Sequence, residues 1–184
     1  KSTFSKEVEK KGYKLFDSDK EVALIYQKPT KDFLNHLKKI NLGNSIEKTK
    51  INKKKISQKI FIDKKIKNNL EKYIFFIVRK KRAIFTQREK KKKTKIIFFD
   101  IPLLFENNLK KEFDIVISLI SPKKERYKRL KKSKKLTKDL FNKIIKSQTS
   151  NLVRKNKSDI VIYNNGTMKE YLRKINNVLD KITL

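Results

Sequence analysis

The chain has 184 residues, enough for one domain with its own core and an insertion, and 37% of them are apolar. Fifty-one basic residues against 19 acidic ones give a net charge of +32, and only seven of the bases are Arg. With no Cys and a single His, His36, the chain excludes disulfides, thiolate metal sites, His-based metal cages and a Ser-His-Asp triad.

No apolar run reaches the ~18 residues of a membrane span, and no signal peptide is visible. A soluble, cytoplasmic protein with no membrane partner is the expectation. A charge this large attracts polyanions. The lysines are spread through every segment, however, whereas nucleic-acid surfaces cluster Arg with aromatic side chains. No specific nucleic-acid partner is therefore expected, although an RNA- or polyanion-binding protein stands as the alternative reading. The sequence leaves the oligomeric state open.

In chain order, Phe4 and Val8 with Gly12 as a stop predict a short helix closed by a glycine cap. Lys1-Ser2-Thr3 ahead of it fits the end of a phosphate-binding G-x-x-x-x-G-K-[ST] loop or an ordinary Ser/Thr-capped helix start. Tyr13 to Asp19 reads as a strand ending in two acids. On alternate strand positions Asp17 and Asp19 share a face and can look into one cleft, or they cap the helix that follows from Glu21 to Tyr26. Residues 31 to 94 carry helical spacing and no strong strand signal: Phe33, Leu34, Leu37 and Ile40; then Ile51, Ile56, Ile60 and Phe61; then a long helix from Leu70 to about Gln87. His36 falls in the first of these as a surface or half-buried residue. The segment is too long for a simple crossover and reads as a helical insertion.

Ile96 to Phe99 form a short apolar run that predicts a strand buried on both faces, with Asp100 and Glu106 just past its carboxyl end. Open α/β sheets place their ligands at such ends. Phe113 to Ile120 predicts a second buried strand. A helix follows from Ser121-Pro122, carrying Arg126 and Arg129, then a turn over Ser133 to Leu136. Thr137 opens a helix to about Ser147 with Leu140, Phe141, Ile144 and Ile145 as its stripe. Asp159 to Tyr163 predicts the last strand, Asn164-Asn165-Gly166 a turn, and Met168 to Ile182 a final amphipathic helix. Strands alternating with helices predict a parallel α/β sheet. The first helix has no strand ahead of it, so a strand and a phosphate loop are expected upstream of Lys1.

Four stretches, in order, resemble the dephospho-coenzyme A kinase family of P-loop kinases. They are Lys1-Ser2-Thr3, Asp17-Ser18-Asp19, Pro102-Leu103-Leu104-Phe105-Glu106, and the C-terminal set of Gln148, Arg154, Asp159 to Ile162 and Asn164-Asn165-Gly166. The resemblance implies a P-loop kinase-like three-layer α/β fold with a parallel sheet. Its nucleotide-binding core would comprise residues 1–30 and 95–184, with a lid at about 123–156 and a coenzyme A-binding insertion at 31–94. It implies transfer of the ATP γ-phosphate to the ribose 3′-hydroxyl of dephospho-coenzyme A, the final step of coenzyme A biosynthesis, with ATP and Mg²⁺ required; another P-loop nucleoside or nucleotide kinase, favoured if the insertion lined a nucleobase pocket, is a further alternative.

By the same resemblance Lys1 contacts the β/γ-phosphates, Ser2 ligates Mg²⁺ with Asp100 a possible second ligand, and Thr3 belongs to the nucleotide site. Asp19 is the base that accepts the hydroxyl proton, and Asp17 supports it. Arg154 covers the phosphates, with Arg129 a further candidate. Asn164 and Asn165 lie near the adenine, Lys53 or Lys54 near the coenzyme A phosphates, and Pro102, Leu103, Leu104 and Glu106 shape the substrate site. Residues 1–184 alone are expected to be inactive, because the glycine loop lies upstream of Lys1. The chain departs from the family in having Lys where an Arg is usual near Lys53, Phe75-Phe76 in place of a His-Pro, and a Lys-rich lid.

Overall fold

A computed structural model describes residues 1–131, 137–146 and 148–182. In chain order these form helix α1 (Ser2–Lys10), strand β1 (Lys14–Asp17), α2 (Ser18–Gln27), α3 (Lys31–Lys39), β2 (Ile46–Glu47) and β3 (Lys50–Ile51). They continue with α4 (Lys53–Ile62), α5 (Lys64–Lys91), β4 (Ile97–Asp100), β5 (Ile117–Ile120) and α6 (Lys123–Lys131). The last elements are α7 (Lys138–Lys146), α8 (Asn151–Lys157), β6 (Ile160–Tyr163) and α9 (Met168–Ile182). Two compact units divide them: Lys1–Tyr13 with Ile101–Leu184, and Lys14–Asp100. The predicted insertion, 31–94, falls wholly inside the second unit. The predicted turn over Ser133 to Leu136 lies outside the described residues.

In the first unit β5 and β6 pair in parallel, Ile117 opposite Ile160 through Ile120 opposite Tyr163. Asp159 fixes their start, accepting the Val116 amide at 2.8 Å while Lys110 lies 3.3 Å away. The predicted strand from Phe113 is shorter than its apolar run: a 3₁₀ turn at Lys110–Glu112 precedes it, and β5 begins only at Ile117. Helix α9 buries Tyr171, Ile175 and Leu179, spaced by four, which is the stripe its sequence predicts. Its start is a capping box: the Glu170 carboxylate accepts the Thr167 amide at 2.8 Å, and the Glu170 amide donates to Thr167 Oγ1 at 3.3 Å. Helix α1 lies against α9, where Lys11 Nζ meets Asp180 Oδ1 at 2.7 Å. Gly12 adopts φ +83°, and the amides of Gly12 and Tyr13 close the last turn of α1 on Glu9 and Val8.

In the second unit β1 and β4 pair in parallel with Asp17 opposite Asp100. Phe16 of β1, Phe99 of β4 and Phe85 of α5 form an aromatic cluster with ring centroids 5.5–6.1 Å apart, which seats the C-terminal half of α5 on the strand pair. Phe98 points the other way and is buried, but Ile97, Phe99 and Asp100 are only half-buried. The strand is thus less enclosed than its apolar run predicts, and Asp100 is its last residue instead of lying past its end. The larger core of this unit lies among the helices: Ile25, Phe33, Leu37, Leu42, Ile56, Ile66 and Leu70. His36 is half-buried, as predicted, with its ring stacked 3.8 Å from that of Tyr73.

Two features were absent from the sequence reading. Residues 46–51 form a small antiparallel hairpin, with Lys48 at φ +57° in its turn. Glu89, near the end of α5, is 1% exposed; its carboxylate accepts Arg88 Nε at 2.9 Å and Thr94 Oγ1 at 3.2 Å, closing the turn that leads toward β4.

The unequal burial of the apolar side chains sets a first prediction. Ile175 is fully buried while Phe61 is 89% exposed. Ile175→Ala is expected to lower the unfolding free energy by about 2–5 kcal/mol and Phe61→Ala by less than ~0.5 kcal/mol, as read from denaturant midpoints. Equal losses would contradict this core.

Candidate active site

The residues singled out in the sequence fall into two groups, one in each unit. In the first unit the N-cap residue of α1, Lys1, makes no side-chain cap hydrogen bond, and the first turn has no acid. The leading amides of Ser2 and Thr3 therefore present the positive end of the helix, with a lysine and two hydroxyls beside it. Helix N-termini of this kind accept anions.

The stretch Pro102 to Asn107 is a set of tight turns. Leu103 adopts φ +56°, a left-handed conformation that costs a non-glycine residue roughly 1–2 kcal/mol. The Asn107 amide and its Nδ2 both donate to the Leu103 carbonyl, at 3.1 and 2.9 Å, and hold it there. This bend delivers Glu106, whose Oε1 accepts the Thr149 amide at 2.6 Å and lies 3.5 Å from Arg154 Nη2. Burial pushes the Glu106 carboxyl up, but the Thr149 amide and the Arg154 charge outweigh it and hold the group below the usual carboxylate range.

At the carboxyl ends of β5 and β6 lies an open pocket of about 330 Å³, lined by Pro122, Leu152, Tyr163 and Asn165 among others. Arg129 Nη2 donates to Asn164 Oδ1 at 3.0 Å, and Lys174 Nζ to Asn165 Oδ1 at 3.4 Å, so both asparagines of the predicted turn have a basic partner. The apolar wall was not foreseen in the sequence. Neither was Arg126, whose half-buried side chain has its Nε enclosed with no hydrogen-bond acceptor among the described residues. Its one sequence signal is its type, an Arg in a chain that otherwise uses Lys.

In the second unit Asp17 and Asp100 stand side by side at the ends of β1 and β4. The predicted shared strand face of Asp17 and Asp19 does not form, because Asp17 is the N-cap of α2. Its Oδ1 accepts the amides of Asp19 and Lys20 at 3.0 Å, so the helix starts at Ser18 and Asp19 projects from its first turn, exposed. Lys53 and Lys54 open α4, where Asn52 is the cap, and Lys53 Nζ sits 5.2 Å from the centroid of the Tyr26 ring. Cations at a helix N-terminus oppose its dipole and so favour an anion there.

Among the described residues, no helix is long and apolar enough to cross a membrane.

The fold is that of a P-loop kinase-like α/β protein. Comparison with known proteins specifies it. A family model of dephospho-CoA kinase matches residues 1–170. The dephospho-CoA kinase of Fusobacterium nucleatum is 33% identical over 186 residues, covering 99% of this chain and 92% of that one. The solved structure of the Campylobacter jejuni dephospho-CoA kinase superposes with a TM-score of 0.73 at 25% identity, covering 98% of this chain and 90% of that one. A Thermus thermophilus protein of known structure, at TM-score 0.75 and 19% identity over the same shares, is alike in fold alone. The chain belongs to the dephospho-CoA kinase family, an enzyme family. These comparisons lend no support to the expectation that residues 1–184 are inactive.

The Glu106 contacts make a pH prediction. A carboxyl held below its unfolded value of about 4.3 stabilises the folded state above that pH, and the contribution is lost as pH falls through the lower, folded value. Glu106→Gln is expected to remove this share of the acid dependence, flattening the fall in thermal midpoint below about pH 4.5. An unchanged slope would mean the carboxylate has no net preference for its folded partners.

Proposed function

We propose that this chain transfers the γ-phosphate of ATP to the ribose 3′-hydroxyl of dephospho-coenzyme A, giving coenzyme A and ADP. The observation that carries the reading is the family match over residues 1–170. Residues 1–30 and 95–184 would form the nucleotide-binding core, and 31–94 the part that holds the coenzyme A moiety.

Phosphoryl transfer needs positioning and neutralisation of charge more than covalent help. Lys1 and the start of α1, with Ser2 and Thr3, receive the phosphates. The adenine lies in the pocket of Pro122, Leu152, Tyr163 and Asn165, whose apolar walls suit a flat base while Asn165 offers it polar atoms. Arg154 covers the phosphates, and the Arg129–Asn164 hydrogen bond borders the base. Asp19 takes the proton of the 3′-hydroxyl. Its exposed carboxylate is accessible for that step, whereas one oxygen of Asp17 is already engaged in capping. Asp17 supports the acceptor, Pro102, Leu103, Leu104 and Glu106 shape its site, and Lys53 and Lys54 attract its phosphates.

Magnesium fits the donors present. Ser2 supplies an exposed hydroxyl at the start of α1 in the first unit. Among the described residues no group of three or more His, Cys, Asp or Glu could hold a metal. A Mg²⁺ held largely by substrate phosphates and water needs no such cage. When bound, it neutralises and orients the phosphates.

Release of ADP by the natural full-length chain is expected to require both Mg²⁺ and dephospho-coenzyme A, in a coupled assay. Asp19→Asn is expected to lower kcat about 10²- to 10⁴-fold. Absence of acceptor-dependent ADP release would defeat the function, and a wild-type rate for Asp19→Asn would defeat the role of Asp19.

A further inference from the structure

Helices α4 and α5 meet at a corner built on one residue. Asp63 closes α4 and caps α5: its backbone is extended, and its Oδ1 accepts the amides of Lys65 and Ile66 at 2.8 and 3.0 Å. The helical core takes Ile56 and Ile60 from α4, and Ile66 and Leu70 from α5. Phe61 and Ile62 follow Ile60 at about 100° and 200° around the helix, so they point away from that core. They are 89% and 83% exposed. Single apolar side chains in water are ordinary, but two large ones side by side at a corner mark a contact surface. Charge flanks the pair. Residues 59–65 read Lys-Ile-Phe-Ile-Asp-Lys-Lys, and Lys59, Lys64 and Lys65 are all exposed. The one acid among them, Asp63, is engaged as the cap.

Shape and charge select the occupant. Two side chains bury far less than the roughly 1,200 Å² of a stable protein–protein interface. A second copy would also set these lysines against their own kind, on a chain of charge +32. Single-stranded nucleic acids stack their bases on aromatic rings and Arg, whereas this stretch has one Phe beside an Ile and no Arg. Protruding apolar side chains flanked by lysines match a surface that is anionic outside and apolar within. We propose that the α4–α5 corner docks reversibly on an anionic lipid surface, with Phe61 and Ile62 entering the headgroup–acyl boundary and Lys59, Lys64 and Lys65 meeting the lipid phosphates. The expectation of no membrane partner rests on the lack of a spanning segment, and interfacial contact needs none.

Flotation of the natural full-length chain with vesicles of phosphatidylcholine and phosphatidylglycerol in equal parts tests it, against vesicles of phosphatidylcholine alone. The wild type is expected to float with the mixed vesicles only, and less so at high salt. Phe61→Ser combined with Ile62→Ser leaves the net charge unchanged and is expected to weaken binding about tenfold to a hundredfold. Lys64→Gln combined with Lys65→Gln is expected to weaken it about tenfold to thirtyfold. Residues 1–184 contain no Trp, so Phe61→Trp places a reporter at the corner. Its emission is expected to move to shorter wavelength and to be shielded from acrylamide on the mixed vesicles. Wild-type binding by the double serine variant would show that charge alone holds the chain to the lipid, and the proposal would fall. An unshifted Phe61→Trp emission would overturn it equally, even if the serine variant does not fold. A higher KM for dephospho-coenzyme A in the serine variant, with vesicle binding unchanged, would assign the pair to the acceptor site instead. A wild type that ignores the vesicles and forms dimers lost in the serine variant would assign it to a second copy, again overturning lipid docking.

Discussion

The carboxylate of Glu106 is the contact on which the candidate nucleotide side depends. It joins three parts of one unit: the bend from Pro102 to Asn107, the Thr149 amide, and Arg154 of α8. Desolvation alone would favour its neutral form, since its side chain is only about one-fifth exposed. A short bond from an amide and a nearby guanidinium reverse that preference. The charge is needed locally, because it offsets the positive charge of Arg154. The geometry in turn requires Leu103 in its left-handed conformation, which Asn107 holds from both its amide and its side chain. The Pro-Leu-Leu-Phe-Glu stretch therefore acts less as the tip of a strand than as a folded bracket for one charged oxygen.

The excess of positive charge works on a different scale. Its lysines meet acids at exposed pairs, such as Lys55 with Glu47 and Lys67 with Glu71. Pairs of that kind contribute about 0–1 kcal/mol each and are screened by salt. They do not define the fold. A net charge of +32 acts through the field it casts, which draws polyanionic substrates toward the protein. ATP and dephospho-coenzyme A are both polyanions, so the charge is compatible with the proposed reaction and requires no nucleic-acid partner.

Much of the architecture was legible because it follows from periodicity. The four-residue spacing of Tyr171, Ile175 and Leu179 and the pattern of Phe33 and Leu37 gave α9 and α3 directly, and the four main strands lie where short apolar runs occur. What stayed open or unseen turns on local competition. Asp17 had a strand pattern behind it and a helix ahead of it, and its ability to accept two amides decided in favour of the helix one residue later. The 46–51 hairpin was invisible because its strands are two residues long and its left-handed position is held by Lys48, with no Gly to mark it. Among the proposed functional residues, Lys1, Asp19, Arg154 and Asn164 rest on resemblance to a family. The apolar wall around Tyr163 and the enclosed Nε of Arg126 arise only when β5, β6, α6 and α8 come together, and no spacing along one segment encodes that.

The same competition bears on the two acids proposed for the acceptor side. Capping uses an aspartate for the hydrogen bonds it accepts, and general base catalysis uses one for a lone pair that stays available to a proton. At Asp17 the first use is taken: Oδ1 receives two amides, and Lys20 Nζ lies 3.9 Å from Oδ2. Asp19, two residues on, is carried out of the strand by the helix that Asp17 starts, and it reaches solvent from the first turn. Had the strand continued, both carboxylates would have shared one face. The cap separates them into one acid that builds the turn and one that is open to solvent. A short Asp-Ser-Asp stretch can thus supply a structural acid and a proposed base without a conflict between the two roles.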